Sequence, residues 1–186
     1  VFSARLWLSF LFSLPSPKRR NLNIRTEILK EHSKIQTVKI ANFIGNSQSL
    51  FDELMDLFLN DENRVTQRSA WVVSYCVEAH PKLIEPHLHK MIENLKNPGL
   101  HDAVKRNRVK VLSGIEIPKD MQGLAVKHCF DFLASQKETV GVKVFAMTTL
   151  FNICQKEPDL LRELRMLIED QMPYASAGFG RVERKF

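Results

Sequence analysis

The sequence predicts an all-α protein built as an α–α superhelix, a solenoid of about four stacked helix pairs. Three observations point there. One stretch recurs: Glu62 to Pro81, ENRVTQRSAWVVSYCVEAHP, shares its plan with residues 101–118, HDAVKRNRVKVLSGIEIP, and 138–158, ETVGVKVFAMTTLFNICQKEP. Each opens polar, places a valine early (Val65, Val104, Val140), runs apolar and closes on a proline (Pro81, Pro118, Pro158). The period also holds: the valines lie 39 and 36 residues apart and the prolines 37 and 40, within the roughly 35–45 residues of helix-pair repeats. Finally, seven glycines and two tyrosines in 186 residues leave little for a β-rich fold with many tight turns.

Taken in order, the elements fit this plan. From Ile24, apolar residues recur at helical spacing: Ile28, Leu29, Ile35, Val38, Ile40, Ala41, Phe43 and Ile44. Thr26 is the expected cap, and Gly45 and Asn46 the stop. Ser47 or Ser49 should cap a second helix, whose stripe Leu50, Phe51, Leu54, Leu57 and Phe58 opposes Asp52, Glu53 and Asp56. Repeat two pairs the helix at 62–80 with one at about 86–96. Proline is tolerated in a first turn and disruptive inside a helix. Pro81 should therefore lead a short turn, and Pro86 should start the helix PHLHKMIENLK, ended by Asn97, Pro98 and Gly99.

Repeat three is about 101–115 and 119–135, divided at Pro118, with Val126, Cys129, Phe130 and Leu133 as the stripe of its second helix. Repeat four is about 138–156 and 159–171, closed by Pro173. Residues 174–186, YASAGFGRVERKF, read as the opening of a further helix, weakened by Gly178 and Gly180 and expected to fray. The helices at 62–80 and 138–156 are apolar on most sides and should be buried on most sides. The helix at 101–115 is amphipathic, with Val104, Val111, Leu112 and Ile115 expected inward and Lys105, Arg106, Arg108 and Lys110 outward.

Residues 1–22 stand outside the repeat. The apolar run Leu6–Leu14 ends at Pro15 and Pro17 and a basic triplet. It is short of the roughly 20 residues that span a bilayer, and a signal peptide would place its charge before the run. This segment is expected to be a leader or non-domain stretch, with a natural start near Asn23 and a repeat domain over 23–173. A cleaved targeting segment is the second reading.

The net charge of +6 owes four charges to Arg5, Lys18, Arg19 and Arg20, which leaves the rest of the chain at +2. Such a body is only mildly basic, a weak hint of nucleic acid. Cys76, Cys129 and Cys154 lie far apart inside apolar runs, without metal-ligand spacing. They read as buried reduced thiols of a cytoplasmic protein.

The Arg64-Val65 and Arg68-x-Ala70 arrangement, with a proline after the helix, resembles the first helix of a HEAT repeat. Over residues 24–173 the chain resembles the HEAT and armadillo-like families. It looks most like short bacterial HEAT-like proteins of unassigned role, some of which are labelled adenylosuccinate lyase. The resemblance implies a stacked helical binding surface, and function must be argued from sites. The lyase family's mobile loop has the form Ser-Ser-x-Met-Pro-x-Lys-x-Asn-Pro. Residues 169–178 match it only at Met172 and Pro173, with Glu169 and Asp170 at the serine positions and Ala175 and Ala177 at the lysine and asparagine positions. Lyase activity is thus the remote alternative.

Two surfaces are candidates for binding. Arg64, Arg68, Trp71, Tyr75 and Glu78 form one ridge at i+3 and i+4 steps. Guanidinium beside aromatic surface can hold a phosphate or stack on a base, while packing between repeats is the plainer use. Lys105, Arg106, Arg108 and Lys110, extended by Lys143, form the densest basic patch, able to track a phosphate backbone or simply to be a solvated face. A base-excising HEAT-like site would need an aromatic, a carboxylate and an arginine, for which Trp71, Asp102 and Arg106 are the available set. His80, His87, His89 and His101 lack the i+3 or i+4 pairing of a helical metal site. No nucleotide-binding, nucleophile-elbow or metalloprotease motif is present. The expectation is a non-enzymatic scaffold without cofactor or membrane segment, its partner a protein or peptide. A nucleic-acid-binding or alkylbase-excising solenoid is the alternative.

Overall fold

Helix starts and stops are set here by caps and prolines, and the computed structural model shows which of them act. It describes residues 22–97, 99–155 and 157–171. The elements are α1 (Ile24–Lys30), α2 (Lys34–Ile44), α3 (Gln48–Asn60), α4 (Asn63–Ala79), α5 (Leu88–Glu93), α6 (Asp102–Ser113), α7 (Lys119–Ala134), α8 (Val140–Cys154) and α9 (Pro158–Gln171). Short 3-10 turns, Pro81–His87 and Asn94–Lys96, flank α5. Among the described residues there is no strand. The expected leader, apart from Leu22, lies outside the described residues, as do Pro173 and the expected partial helix at 174–186.

The helices form two rows. In the first, α2, α4, α6 and α8 lie side by side and pack closely; α3, α5, α7 and α9 form the second. The α3 helix packs chiefly on α4 and α7 on α8, so a second helix is buried against the first helix of the next repeat. As expected, α4 and α8 are buried on most sides. Val65, Ala70 and Val73 of α4 are fully buried, as are Val142, Ala146 and Leu150 of α8. A side chain of this kind contributes roughly 1.5–3 kcal/mol when fully buried.

Three local expectations are corrected. The stretch 24–44 is two helices, not one. Asn23 rather than Thr26 caps α1, its side chain accepting from the Thr26 N–H. Glu31 turns the chain extended, and the Ser33 hydroxyl then accepts from the Gln36 N–H to start α2. A residue that can cap an N-terminus offers the backbone an alternative to continuing the helix. The break rotates the face, and Ile35 ends up 82% exposed.

The partner helix of repeat two is also different. Pro86 does not open it. Pro86 sits inside the 3-10 turn, and α-helical geometry begins only at Leu88. Two prolines five residues apart remove two N–H donors, so the segment winds more tightly, held by buried Leu83 and Ile84. In α7 the buried face is Ala125, Cys129, Phe132 and Leu133, while Val126 and Phe130 are only half-buried.

Candidate functional site

The α4 ridge is used mainly for docking. Arg68 is half-buried, and its Nη1 donates to the carbonyls of Ile28 (3.2 Å) and Leu29 (2.9 Å) near the end of α1. Those carbonyls have no partner within their own helix, and a cation at a helix C-terminus is favoured by the dipole. Trp71 meets the His32 ring edge-on at 5.6 Å and Tyr75 at 6.3 Å. Glu78 pairs with Lys110 of α6. Arg64 and Glu78 are the exposed members of this set. The ridge thus holds the α1–α2 junction and the α4–α6 contact.

The expected outward basic face of α6 is corrected more sharply. Arg108 is 1% exposed. Its guanidinium lies over the Phe58 ring at 4.8 Å, and its Nη1 donates to the Asn94 carbonyl at 3.3 Å. Its Nε has no hydrogen-bond partner among the described residues, and burial pushes its pKa down to about 10. Lys105 is largely buried, paired with Glu138 and 5.5 Å from the Phe132 ring centre. Lys110 is held by Glu78. Lys143, expected to extend the patch, donates to the Gln171 side chain at 2.7 Å instead. Burial lowers its pKa, partly offset by Glu138. Only Arg106 of the α6 set remains exposed. Its stem lies so close to Gly141 of α8 that a Cβ there would sit 3.0 Å from the Arg106 Cδ. The sequence did carry a signal for Arg108: it stands i+4 from Val104 and i−3 and i−4 from Val111 and Leu112, on their face.

The other constellations are not assembled. Trp71 turns back towards His32, whereas Arg106 lies forward along α8. The aromatic and the arginine of a base-excising cleft thus contact different parts of the stack. His87 bonds Asp52 at 2.6 Å, His89 faces Glu93 at 3.4 Å, and His101 caps α6 by accepting from the Ala103 N–H. Among the described residues no group of His, Cys, Asp and Glu could hold a metal, and no helix is long and apolar enough to cross a membrane. The three cysteines are buried, and burial pushes Cys76 and Cys129 up to about 12.

A family model described as a HEAT repeat domain matches residues 24–185. The chain belongs to the HEAT repeat family. No curated protein and no solved structure matches it. As a HEAT repeat chain it is read by its helix rows, and the second row holds a surface that the sequence reading missed. Between α7 and α9 lies a groove of about 570 Å³ lined by Phe130, Asp131, Glu163, Met166, Leu167 and Asp170. Met166 is 66% exposed. The available signal was the i, i+3, i+4, i+7 spacing of Glu163, Met166, Leu167 and Asp170, which places two carboxylates around two apolar residues on one ridge.

Proposed function

We propose that this HEAT repeat chain is a non-enzymatic scaffold or adaptor that presents its stacked helices to a protein or peptide partner. The observation that carries this is the internal use of the basic residues. Lys110 and Lys143 are tied to side chains of neighbouring helices, Lys105 to Glu138 in the α7–α8 connection, and Arg108 lies in the core. Outside the first twenty residues the chain holds 23 basic and 21 acidic residues, a net charge of +2. A body of net charge only +2, with most of its basic helix engaged internally, has a weak field for drawing a phosphate backbone. Repeat stacking, by contrast, supplies an extended surface suited to another chain.

The test measures binding of labelled duplex and single-stranded DNA across a salt series, beside reconstitution with purified captured proteins at low and high salt. The expected result is a protein partner retained at both salts and no tight DNA binding at physiological salt. Tight DNA binding that falls steeply with salt and is lost in Arg64→Glu/Arg106→Glu would reverse the reading in favour of nucleic acid.

A further inference from the structure

We propose that the α7–α9 groove seats an amphipathic peptide helix carrying a bulky apolar residue flanked by Lys or Arg; this rests on the scaffold reading and specifies its partner. The floor is apolar, made by half-buried Phe130 and Leu167 with exposed Met166 beside them. An unbranched, polarisable methionine adapts to an incoming apolar surface. The groove's volume of about 570 Å³ lies within the ~300–1,000 Å³ of ordinary ligand sites. A trough between two helix ridges is the shape that receives a third helix by its i, i+3, i+4 anchors.

Charge selects the occupant. Among the described residues, Asp131 on α7 and Glu163 and Asp170 on α9 line the groove, and no Lys or Arg does. Asp131 is engaged by Lys127 at 2.8 Å. Glu163 and Asp170 have no ion pair among the described residues. Seven residues apart, they stand about two helical turns, roughly 10 Å, from each other, and bracket Met166 and Leu167. A helical peptide with basic residues two turns apart can meet each carboxylate while its apolar side covers Met166. The field of Glu163 already reaches inward: after burial, it and Glu157 help push the Cys154 thiol up to about 11. The same three carboxylates repel a phosphate backbone or an acidic peptide.

The experiment uses the full chain and three synthetic helical peptides of equal length, followed by fluorescence anisotropy. One carries a leucine face with lysines two turns apart, the second replaces those lysines by glutamates, and the third keeps the lysines but replaces the leucines by serines. The wild type is expected to bind the lysine–leucine peptide about tenfold or more tighter than either control. Glu163→Lys/Asp170→Lys, which changes two exposed positions and should leave the melting temperature nearly unchanged, is expected to reverse the preference towards the glutamate peptide. Equal binding of all three peptides, or no effect of the double substitution, overturns the proposal. So does self-association of the wild type in sedimentation that the double variant abolishes, which would make a second copy the occupant. A reconstituted protein partner that binds wild type and double variant equally leaves the scaffold reading standing while removing this groove from it.

Discussion

The two ends of the described helix stack solve the same packing problem differently. At the α1–α4 end, charge is tied down. Arg25 is bidentate to Asp61 at 2.8 and 3.2 Å and reaches Glu62 at 3.3 Å. Arg68 caps α1. Buried Glu27 accepts from Lys39, Lys30 and Gln36, and these bonds hold its carboxyl down at about 2. At the α7–α9 end, α9 is joined through Gln171, which accepts from Lys143 and donates to the Leu133 carbonyl, while Glu163 and Asp170 stay unpaired among the described residues. The reason lies in length. The α1 helix has seven residues, too few to be stable alone or to bury much area, so side-chain latches supplement its two buried isoleucines, Ile24 and Ile28. The α9 helix has fourteen, and one buried stripe, Leu164 and Ile168, leaves its other face uncovered by the described residues.

The sharpest test of this contrast begins in the shared core. Val73→Asp should abolish cooperative folding, because an unpaired buried charge costs several kcal/mol against a typical stability of about 5–15 kcal/mol; a soluble variant with a sharp thermal transition would refute the two-row packing. Arg108 comes next, with a split expected. Arg108→Glu should fail to fold, whereas Arg108→Met should keep or gain stability, by up to about 2 kcal/mol, since an apolar side chain removes an uncompensated buried cation. Denaturant midpoints decide between them, and a strong loss in Arg108→Met would mean that the Phe58 and Asn94 contacts outweigh desolvation.

Smaller effects separate the two ends. Arg68→Ala should cost about 2 kcal/mol by orphaning the α1 carbonyls and should raise hydrogen exchange in α1 while leaving α9 unchanged; equal exchange at both ends would erase the distinction. Glu27 gives a pH signature. Its folded pKa lies below the ordinary 4.5, so its contribution is complete above about pH 4.5 and is lost as pH falls towards about 2. Glu27→Gln should therefore flatten the acid limb of the stability curve, and an unchanged limb would assign acid sensitivity elsewhere. Arg106→Glu should shift stability by no more than about 0.5 kcal/mol, in contrast to Arg108→Glu two residues on.

The repeat period and the buried character of α4 and α8 were legible because stacking writes itself into spacing, whereas the break that splits 24–44 into α1 and α2 was not. Prolines recurring at the repeat period after three of the first helices, together with long apolar runs, have few other structural uses. The candidate site was much less legible. Arg106 and Arg108 are the same residue type two positions apart, and composition treats them alike. Only the 100° step per residue separates them, turning one to solvent and the other onto Phe58. Lys105 and Lys110 looked free because their partners, Glu138 and Glu78, lie 33 and 32 residues away, nearly one repeat distant.

The sequence by itself determined the all-helical repeat and its period, since these follow from the recurring spacing of apolar residues and prolines. It also settled the near-neutral body charge, which is a matter of counting. Tertiary structure decided which charges are spent and which face is free. A cation's availability depends on whether the next repeat brings a carboxylate within reach, and a groove exists only where the ridges of two helices distant in sequence fail to close. Neither is a local property of the chain.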